Sequence, residues 1–247
     1  MIILYRIYQL FIMAPVLLVA TVLTALTVMA ASVLGFGRWG GYYPQVVWAR
    51  LFLAMTLVKV KVEGRENIDP ATSYVFVANH QSAYDIFTVY ALLHHNFRWM
   101  MKKELRKMPL IGLACEKSHQ IYVDNSTPGA LKQTMERAEA LLRGGMSLVI
   151  FPEGARTLDG RMHRFKRGAF ILAEEFHLPV VPLTIDGAYR VLPRNKTLPH
   201  WGRITLTIHK PIMPGREDHT DTSRIMQEAW DAIQSSLPVP GDQKPAR

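Results

Sequence analysis

A histidine and an aspartate five positions apart, His80 and Asp85, lie in the segment N-H-Q-S-A-Y-D. Apolar runs stand on either side of it, Tyr74–Ala78 before and Ile86–Leu93 after. A buried strand, a tight turn and a helix would bring the Asp85 carboxylate, in the first helical turn, beside the imidazole. A carboxylate there holds the ring by one nitrogen and leaves the other free to accept a proton. The spacing therefore predicts a general base with its orienting acid.

A structural interpretation of the same residues stays open. Ser82 and Asp85 have the spacing of a capping box, in which a serine N-cap is followed three positions later by an acidic residue that bonds back to it. A histidine in a turn is also often an ordinary surface residue. The segment alone is compatible with helix capping and with acid–base chemistry.

A second group of functional residue types follows the apolar run Ser147–Phe151. It begins with Glu153, Gly154 and Arg156 and ends at Gly168, where a helix is predicted. Further basic or potentially basic side chains between these points are Arg161, His163, Arg164, Lys166 and Arg167. Glycines and cations beside a helix start favour the binding of a phosphate group. The alternative interpretation is a solvated basic loop or a contact with anionic lipid.

The composition limits the classes of protein to consider. The chain has 247 residues and a formal net charge of +9, with a sequence pI near 9.7, so one main domain and anionic partners are expected. Cys115 is the only cysteine, which excludes an intramolecular disulfide framework. The sequence has no recognition-helix or aromatic-stacking motif, so nucleic acid is not an expected partner.

The amino-terminal segment from Ile7 to Phe36 carries no charge and is longer than the about 20 residues that a bilayer crossing needs. Ala30-Ala31-Ser32 has the residue types of a signal-peptide cleavage site, but the apolar run is longer than such peptides have, so retention in the membrane is expected. A second apolar stretch, Tyr42–Val58, contains Arg50 near its middle. This predicts a helix at the membrane interface or packed against the first. The distribution of basic residues predicts that the remainder is cytoplasmic.

From Val58 onward, short apolar or alternating runs predict seven strands. They are residues 58–64, 73–78, 97–101, 120–123, 147–151, 180–185 and 204–208. Strands that alternate with helical stretches predict an α/β fold with a mixed, partly parallel sheet covered on both faces.

The clearest predicted helix starts after Thr127 and stops at Gly144. Its apolar face is expected to bury Leu131, Met135, Ala138 and Leu142. Near the carboxyl terminus the pattern predicts a surface helix followed by a loose tail, Pro238–Arg247.

Several blocks of the sequence together resemble the glycerolipid acyltransferase family. From about Val58 to Pro211 the blocks, in the family's order, are N-H-Q-S-x-x-D, K-K-E-L-R-K-M-P-L-I-G, F-P-E-G-x-R, F-K-R-G-A-F-I-L-A and P-V-V-P-L-T-I-D-G. The resemblance implies a glycerol-3-phosphate acyltransferase-like fold of about seven strands flanked by helices, with two amino-terminal helices as a membrane anchor. The expected domains are the anchor at 1–57, the acyltransferase domain at 58–213, and a carboxyl-terminal helix and tail at 214–247.

The resemblance also implies the reaction and its participants. An acyl thioester of acyl carrier protein or coenzyme A would acylate the free hydroxyl of lysophosphatidate, a membrane lipid, to form phosphatidate, as in bacterial 1-acylglycerol-3-phosphate acyltransferases. His80 would be the general base and Asp85 its orienting acid, with no metal and no cofactor beyond the thioester. The residues implied for binding the acceptor are Glu153, Gly154, Arg156, Lys103 and Lys166.

Two departures from the family pattern leave the acceptor open. Ala155 stands where the family usually has threonine. Asp124-Asn125 stands where it usually has Asp-Arg, and His119 takes the place of a glycine. The missing arginine is usually a phosphate contact, so a lyso-aminolipid, such as a lyso-ornithine or lyso-glycine lipid, is the alternative acceptor. An inactive lipid-binding membrane protein is the alternative of another class, but such a protein would be expected to have lost the motif's histidine or aspartate.

Overall fold

The computed structural model of the protein describes residues 2–124, 126–215 and 221–238. Within these ranges the strands of the sheet are β1 (Val58–Glu63), β2 (Val75–Ala78), β3 (Phe97–Lys102), β4 (Ile121–Val123), β5 (Ser147–Ile150), β6 (Val180–Asp186) and β7 (Gly202–Ile208). The α-helices are α1 (Ile2–Tyr8), α2 (Ala14–Val33), α3 (Gly37–Gly40), α4 (Tyr43–Met55), α5 (Tyr84–Leu92), α6 (Ile111–Lys117), α7 (Pro128–Arg143), α8 (Gly168–Glu175), α9 (Ala188–Val191) and α10 (Thr222–Ser235). A π-helical turn (Gln9–Met13) joins α1 to α2, and 3₁₀ turns occupy Arg65–Asn67 and Lys103–Lys107. Asn125 and the predicted tail beyond Pro238 lie outside the described residues.

The strands form one sheet in the order β1-β7-β6-β2-β5-β3-β4. Neighbouring strands run parallel except for β6 and β7, which are antiparallel. The central strands β2 and β5 are buried along their whole length, which suits their continuous apolar sequences. The predicted mixed, partly parallel sheet is confirmed. The first and last residues of each predicted strand lie within two residues of those of the observed strand.

Helices cover both faces of this sheet. On one face α4 and α5 pack over a cluster that includes Phe76 and Val89. On the other face α8 and α10 pack over a cluster that includes Phe170 and Ile225, and α7 covers β4 and β5 beside them. The body built by residues 58–213 is called the α/β body below. Its predicted two-sided cover is confirmed.

Helix α7 begins as the sequence predicts, because Thr127 Oγ1 accepts a hydrogen bond from Ala130 N at 3.1 Å. The predicted burial of Leu131 is wrong, since this residue is 42% exposed. The buried face of the helix starts one turn later, at Thr134, whose hydroxyl accepts a hydrogen bond from Asp124 N at 3.2 Å. A polar side chain therefore makes the contact that the apolar pattern assigned to a leucine.

The amino-terminal apolar run forms one helical rod, Ile2–Val33, called the rod below. It is long and apolar enough to cross a membrane, and only 22% of its most apolar window is buried. Both ends of the rod touch the α/β body. Tyr5 meets Trp201 edge-on with the ring centroids 4.8 Å apart, and Ser32 Oγ donates to Lys117 O at 2.8 Å. The rod therefore lies along the body over its length.

Helix α4 packs between the rod and α5. Trp48 Nε1 donates a hydrogen bond to Thr21 Oγ1 of the rod at 2.9 Å. Arg50 turns the other way, toward the end of α5, where its Nε donates to Ala91 O at 3.3 Å and its Nη2 lies 3.2 Å from His94 Nε2. The predicted packing of this second apolar segment against the first is observed.

A buried arginine holds the turn between the rod and α4. Arg98, at the start of β3, is 1% exposed, and its guanidinium donates to the carbonyl oxygens of Gly37, Arg38 and Gly41 at 3.2 to 3.4 Å. A Cβ at Gly41 would lie 2.5 Å from the Arg98 guanidinium carbon, so a larger residue there would displace the guanidinium. Burial lowers the pKa of Arg98 to about 10, which leaves it cationic at neutral pH. The turn is therefore fixed to the sheet by charge-assisted hydrogen bonds.

Candidate active site

The predicted site residues share one edge of the sheet. Strands β2, β5, β6 and β3 are mutually parallel, so their carboxyl ends lie together at what is called the carboxyl edge below. His80 follows β2, Glu153 follows β5, and Lys103 follows β3. In open α/β sheets this is the edge at which ligands bind.

His80 and Asp85 are in direct contact. Nδ1 of His80 lies 2.8 Å from Oδ2 of Asp85, which is fully buried in the first turn of α5. The same oxygen accepts hydrogen bonds from Gln81 N at 2.7 Å and Ser82 N at 2.8 Å. Three donors around one oxygen match an ionised carboxylate, so Nδ1 carries the ring hydrogen and Nε2 has the lone pair. Nε2 has no hydrogen-bond partner in the part of the chain that the structure describes, and the His80 side chain is 13% exposed.

One of the two hydrogen bonds of a capping box is present in the same turn. Asp85 accepts from Ser82 N, as a capping box requires, but Ser82 Oγ accepts from Tyr84 N at 3.1 Å and donates to Leu192 O at 2.8 Å. One carboxylate therefore holds both the imidazole and the turn before α5. The N-cap of α5 is Ala83, which makes no side-chain cap, so Ser82 is not the N-cap that the capping-box interpretation requires.

Two amides that the sequence analysis did not single out hold the backbone around the histidine. Asn79 Nδ2 donates to Ile185 O at 3.0 Å, and its Oδ1 accepts from Ile185 N at 2.8 Å. Gln81 Nε2 donates to Gly160 O at 2.7 Å. The signal for both was their position next to His80 within one polar segment between two apolar runs.

Phe151 is a further residue that the sequence analysis missed. The His80 ring stacks on the Phe151 ring, with centroids 3.8 Å apart and planes at 7°. Phe151 in turn stacks on Trp99, with centroids 5.0 Å apart and planes at 23°. The stack fixes the plane of the imidazole, whereas Asp85 fixes its rotation. An aromatic residue directly after β5 and directly before Pro152 was the available signal.

Glu153 joins the two predicted segments. Its Oε1 accepts from His80 N at 2.7 Å and its Oε2 accepts from His163 N at 2.8 Å. In return, Thr157 N donates to His80 O at 3.0 Å. Burial raises the pKa of Glu153 to about 7, although the two backbone N–H groups oppose this shift. Both carboxylate oxygens are thus engaged in holding the loop around the imidazole.

Gly154 and Lys166 lie against each other. Gly154 has a φ of +76°, and a Cβ there would lie 2.7 Å from Lys166 Nζ. Lys166 N donates to Pro152 O at 2.9 Å, which folds the loop back onto the end of β5. An exposed ammonium group therefore lies over a stretch of backbone that has no side chain.

The other two predicted cations have different surroundings. Arg156 is half-buried, and among the described residues its guanidinium has no hydrogen-bond or ion-pair partner, although its carbonyl oxygen accepts from Arg194 at 2.6 Å. Lys103 Nζ lies 2.8 Å from Asp124 Oδ1, and this hydrogen bond holds the pKa of Asp124 well below its usual range. Arg156 is therefore available to a ligand, whereas Lys103 already has a partner. Asn125 lies outside the described residues.

The arrangement provides an oriented base, a loop with an unpaired guanidinium, and an exposed cationic rim. Exposed members of that rim are Arg161, Arg164 and Arg167. In the described ranges, no group of three or more histidine, cysteine, aspartate or glutamate side chains could hold a metal ion. These groups suit proton abstraction from a hydroxyl beside an anionic substituent.

Known proteins share this sequence pattern and this fold. A family model described as Acyltransferase matches residues 59–186. The chain is 33% identical, over 70% of its length, to a chloroplastic 1-acyl-sn-glycerol-3-phosphate acyltransferase of Arabidopsis thaliana, and covers 48% of that protein. It is 31% identical, over 85% of its length, to a 1-acyl-sn-glycerol-3-phosphate acyltransferase of Chlamydomonas reinhardtii, and covers 63% of it. The chain thus spans less than two thirds of these relatives.

A solved structure extends the likeness to almost the whole chain. The 1-acyl-sn-glycerophosphate acyltransferase of Thermotoga maritima superimposes with a TM-score of 0.74 at 23% sequence identity. The match covers 95% of this chain and 96% of that one, so the fold, including the amino-terminal helices, is shared.

Proposed function

Because the chain belongs to the acyltransferase family, we propose that it transfers an acyl group from a thioester to the free hydroxyl of lysophosphatidate, which forms phosphatidate. The observation that carries the proposal is the 2.8 Å contact between His80 Nδ1 and Asp85 Oδ2, which leaves Nε2 unpartnered among the described residues. The names of the relatives from Arabidopsis and Chlamydomonas support lysophosphatidate as the acceptor.

The imidazole performs the proton transfer. Nε2 of His80 removes the proton of the acceptor hydroxyl while that oxygen attacks the thioester carbonyl, so that a C–O bond forms and the C–S bond breaks. The departing thiolate takes the proton from the imidazolium and leaves as a thiol. Asp85 stabilises the imidazolium through Nδ1. General-base catalysis of this kind contributes about 10²- to 10⁴-fold.

The loop after β5 binds the phosphate of the acceptor. The planar guanidinium of Arg156 matches two phosphate oxygens at once. Lys166 adds a second charge, and its ammonium group lies directly over the Gly154 backbone. Lys103 adds to the positive electric field of the site and does not contact the phosphate directly, because its ammonium group is already paired with Asp124. Glu153 serves the acceptor indirectly by holding the loop.

The donor is an acyl thioester of acyl carrier protein or coenzyme A. Both carriers bear negative charge, and the cationic rim formed by Arg161, Arg164 and Arg167 supports the approach of either. The thioester itself supplies the reactive group, so no further cofactor enters the proposal. Nucleic acid is not a proposed partner.

A lyso-aminolipid, such as a lyso-ornithine or lyso-glycine lipid, is the second candidate acceptor. Ala155 favours it, because this residue puts a methyl group between Gly154 and Arg156 where the family pattern has a hydroxyl. An inactive lipid-binding protein is the less favoured alternative, since His80 and Asp85 are both retained and in contact.

The catalytic body is proposed to sit at the cytoplasmic surface of a membrane. The rod has 32 residues and is thus about 48 Å long, more than the roughly 30 Å hydrocarbon core of a bilayer. Because both of its ends contact the α/β body, the proposal has it lie within one leaflet. Its outward side chains, which would meet the lipid, include Leu4, Leu10, Phe11 and Leu18.

An acyl-transfer assay in detergent micelles tests the reaction and the acceptor together. One thioester donor is offered with lysophosphatidate or with a lyso-ornithine lipid, and His80→Ala is the blank. Faster transfer to lysophosphatidate is expected. Faster transfer to the lyso-ornithine lipid would reassign the acceptor, and equal rates for the wild type and the His80→Ala variant would reject the general-base role.

A further inference from the structure

Two adjoining depressions lie where the rod meets β1 and β7. The larger, of about 430 Å³, is lined by Leu4, Tyr5, Leu57 and Trp201. The smaller, of about 210 Å³, is lined by Leu57, Lys59, Trp201, Gly202 and Arg203. Because both are lined by Leu57 and Trp201, they form one continuous surface, called the rod groove below.

One end of the rod groove is cationic. Lys59 and Arg203 are register partners on the parallel strands β1 and β7, and both are exposed. Neither has an ion-pair partner in the described part of the chain. Two residues further along β1, Lys61 is neutralised by Glu63 at 2.6 Å. Because like charges on neighbouring strands repel, the uncompensated pair favours an anionic group between them.

The other end of the rod groove is apolar. Leu57 follows α4 with a φ of +56°, a conformation that usually selects glycine, yet its side chain is 58% exposed. Trp201 is 43% exposed and is braced by the edge-on ring of Tyr5. Leu4 extends the same surface onto the rod and is 73% exposed. The exposure of one contiguous apolar patch indicates a surface that lipid covers.

The rod groove opens at the carboxyl edge but away from the proposed phosphate site. Strand β7 is antiparallel to β6, so Gly202, at its start, lies at the edge where β6 and β2 end. In the sheet β7 is two strands from β2, or about 10 Å, on the side opposite to β5. The groove therefore lies at the same edge of the sheet as His80, and none of the residues that line it belongs to the loop after β5.

From these features we propose that the rod groove binds one anionic phospholipid. The phosphate lies between Lys59 and Arg203, and an acyl chain covers Leu57 and Trp201 on its way to the rod. The lipid is held beside the catalytic edge without a part in proton transfer. The experiment measures lipid binding and not activity, so its outcome does not depend on whether the proposed acyl-transfer reaction is correct.

Quenching of Trp201 fluorescence by lipids with brominated chains measures occupancy of the groove. The protein in detergent micelles receives brominated phosphatidylglycerol or brominated phosphatidylcholine, and the Trp201 signal is the part of the emission absent from Trp201→Phe. We expect stronger quenching by phosphatidylglycerol. The double variant Lys59→Gln/Arg203→Gln is expected to bind it about tenfold or more weakly. Lys61→Gln, a lysine of the same strand that does not line the groove, is the matched control and keeps the wild-type affinity.

Three results would overturn the proposal. They are equal quenching by the two lipids, an unchanged preference for phosphatidylglycerol in the double variant, and an equal loss in Lys61→Gln. Inorganic phosphate separates the two possible sources of the anion: if it displaces the brominated lipid at concentrations comparable to the lipid's own, the cations bind free phosphate and the lipid assignment is rejected. Circular dichroism verifies that each variant is folded, and Arg203→Gln alone replaces the double variant if the latter is not.

Discussion

The imidazole of His80 lies flat on the phenyl ring of Phe151, with the ring centroids 3.8 Å apart and the planes at 7°. Asp85 holds the same imidazole from its edge, at Nδ1. Because the imidazole is held at its face and at one edge, its Nε2 atom points in a fixed direction before a substrate binds. Phe151 is thus a positioning residue for the proposed base.

Phe151→Leu should lower kcat by about tenfold to a hundredfold, because the imidazole loses the surface that sets its plane. The KM for the acceptor should change little, since Phe151 does not touch the cations of the loop. Phe151→Tyr, which keeps the ring, should restore most of the rate. Steady-state kinetics check this, with Phe176→Leu, a half-buried phenylalanine away from the site, as the control. A loss in KM alone, or no recovery with tyrosine, would contradict the positioning role.

Asp85→Asn isolates the charge of the orienting acid. Oδ1 of Asp85 is buried without a partner among the described residues, so the asparagine nitrogen can take its place while the amide oxygen keeps all three hydrogen bonds. The fold should persist and kcat should fall about tenfold to a hundredfold, because a charge-assisted hydrogen bond to the imidazolium is lost. Asp159→Asn, an exposed carboxylate that also pairs with a histidine, is the control for both kcat and circular dichroism. Wild-type kcat in Asp85→Asn would exclude a catalytic role for the charge.

Glu153 should make the protein less stable as the pH rises from about 4.5 to about 7. Its pKa is raised from 4.5 to about 7 on folding, so in this window the folded state binds more protons than the unfolded state. The stabilisation is complete below pH 4.5 and is lost as the pH passes through 7, a change of about 3 kcal/mol. The free energy of unfolding, measured with urea in micelles, should fall as the pH rises across this window. It should fall less in Glu153→Gln. Parallel curves for the two proteins would contradict the raised pKa.

Arg156→Ala tests the proposed phosphate contact. The KM for lysophosphatidate should rise about tenfold to a hundredfold, because a charged hydrogen bond to the substrate contributes about 1.5 to 3 kcal/mol, whereas kcat should change less. Arg161→Ala removes the same charge from an exposed position on the same loop and should have a smaller effect. Equal effects of the two substitutions would mean that only net charge matters.

Phe11→Glu tests the placement of the rod at the membrane. Phe11 is 70% exposed near the middle of the rod's amino-terminal half, where a carboxylate would have to enter the acyl-chain region. Binding to phospholipid vesicles should weaken by at least about tenfold while the circular dichroism spectrum stays unchanged. Met213→Glu, which is 59% exposed on the α/β body, is the control. Equal vesicle binding by the wild type and Phe11→Glu would reject this placement.

The strands and the main turn were predictable because their signals are local. Residues 58–63 alternate in polarity, and the central strands are short apolar runs bounded by turns, so both the positions and the mixed sheet followed from the pattern. The contact between His80 and Asp85 also followed, since a strand, a tight turn and a first helical turn leave few other positions for the carboxylate. The exposure of Leu131 could not be predicted from the apolar pattern, because the helix face that contacts the sheet can begin one turn after the first apolar residue of the helix.

Local position could mark Asn79 and Phe151 as candidates, but it could not predict which distant residues they contact. Phe151 reaches His80, and Asn79 reaches Ile185, only because β5 and β6 flank β2 in the sheet, and strand order is not encoded in the spacing of residues along the chain. His119 shows a local signal that is only partly present. It stands where the family pattern has a glycine, and its φ is nevertheless +60°. The backbone requirement of that position is kept although the residue type that normally reveals it is not.

In the proposed membrane placement, the clamp that Arg98 forms on the Gly37–Gly41 turn would set the immersion depth of the protein. That turn is hydrogen-bonded to the start of β3, and the rod packs against the body again at Trp201. The height of His80 Nε2 above the lipid would therefore be fixed by the protein structure. It would not change when the bilayer becomes thicker or thinner. The proposed lysolipid acceptor would therefore have to rise to a fixed level to reach His80, and the protein scaffold would set that level.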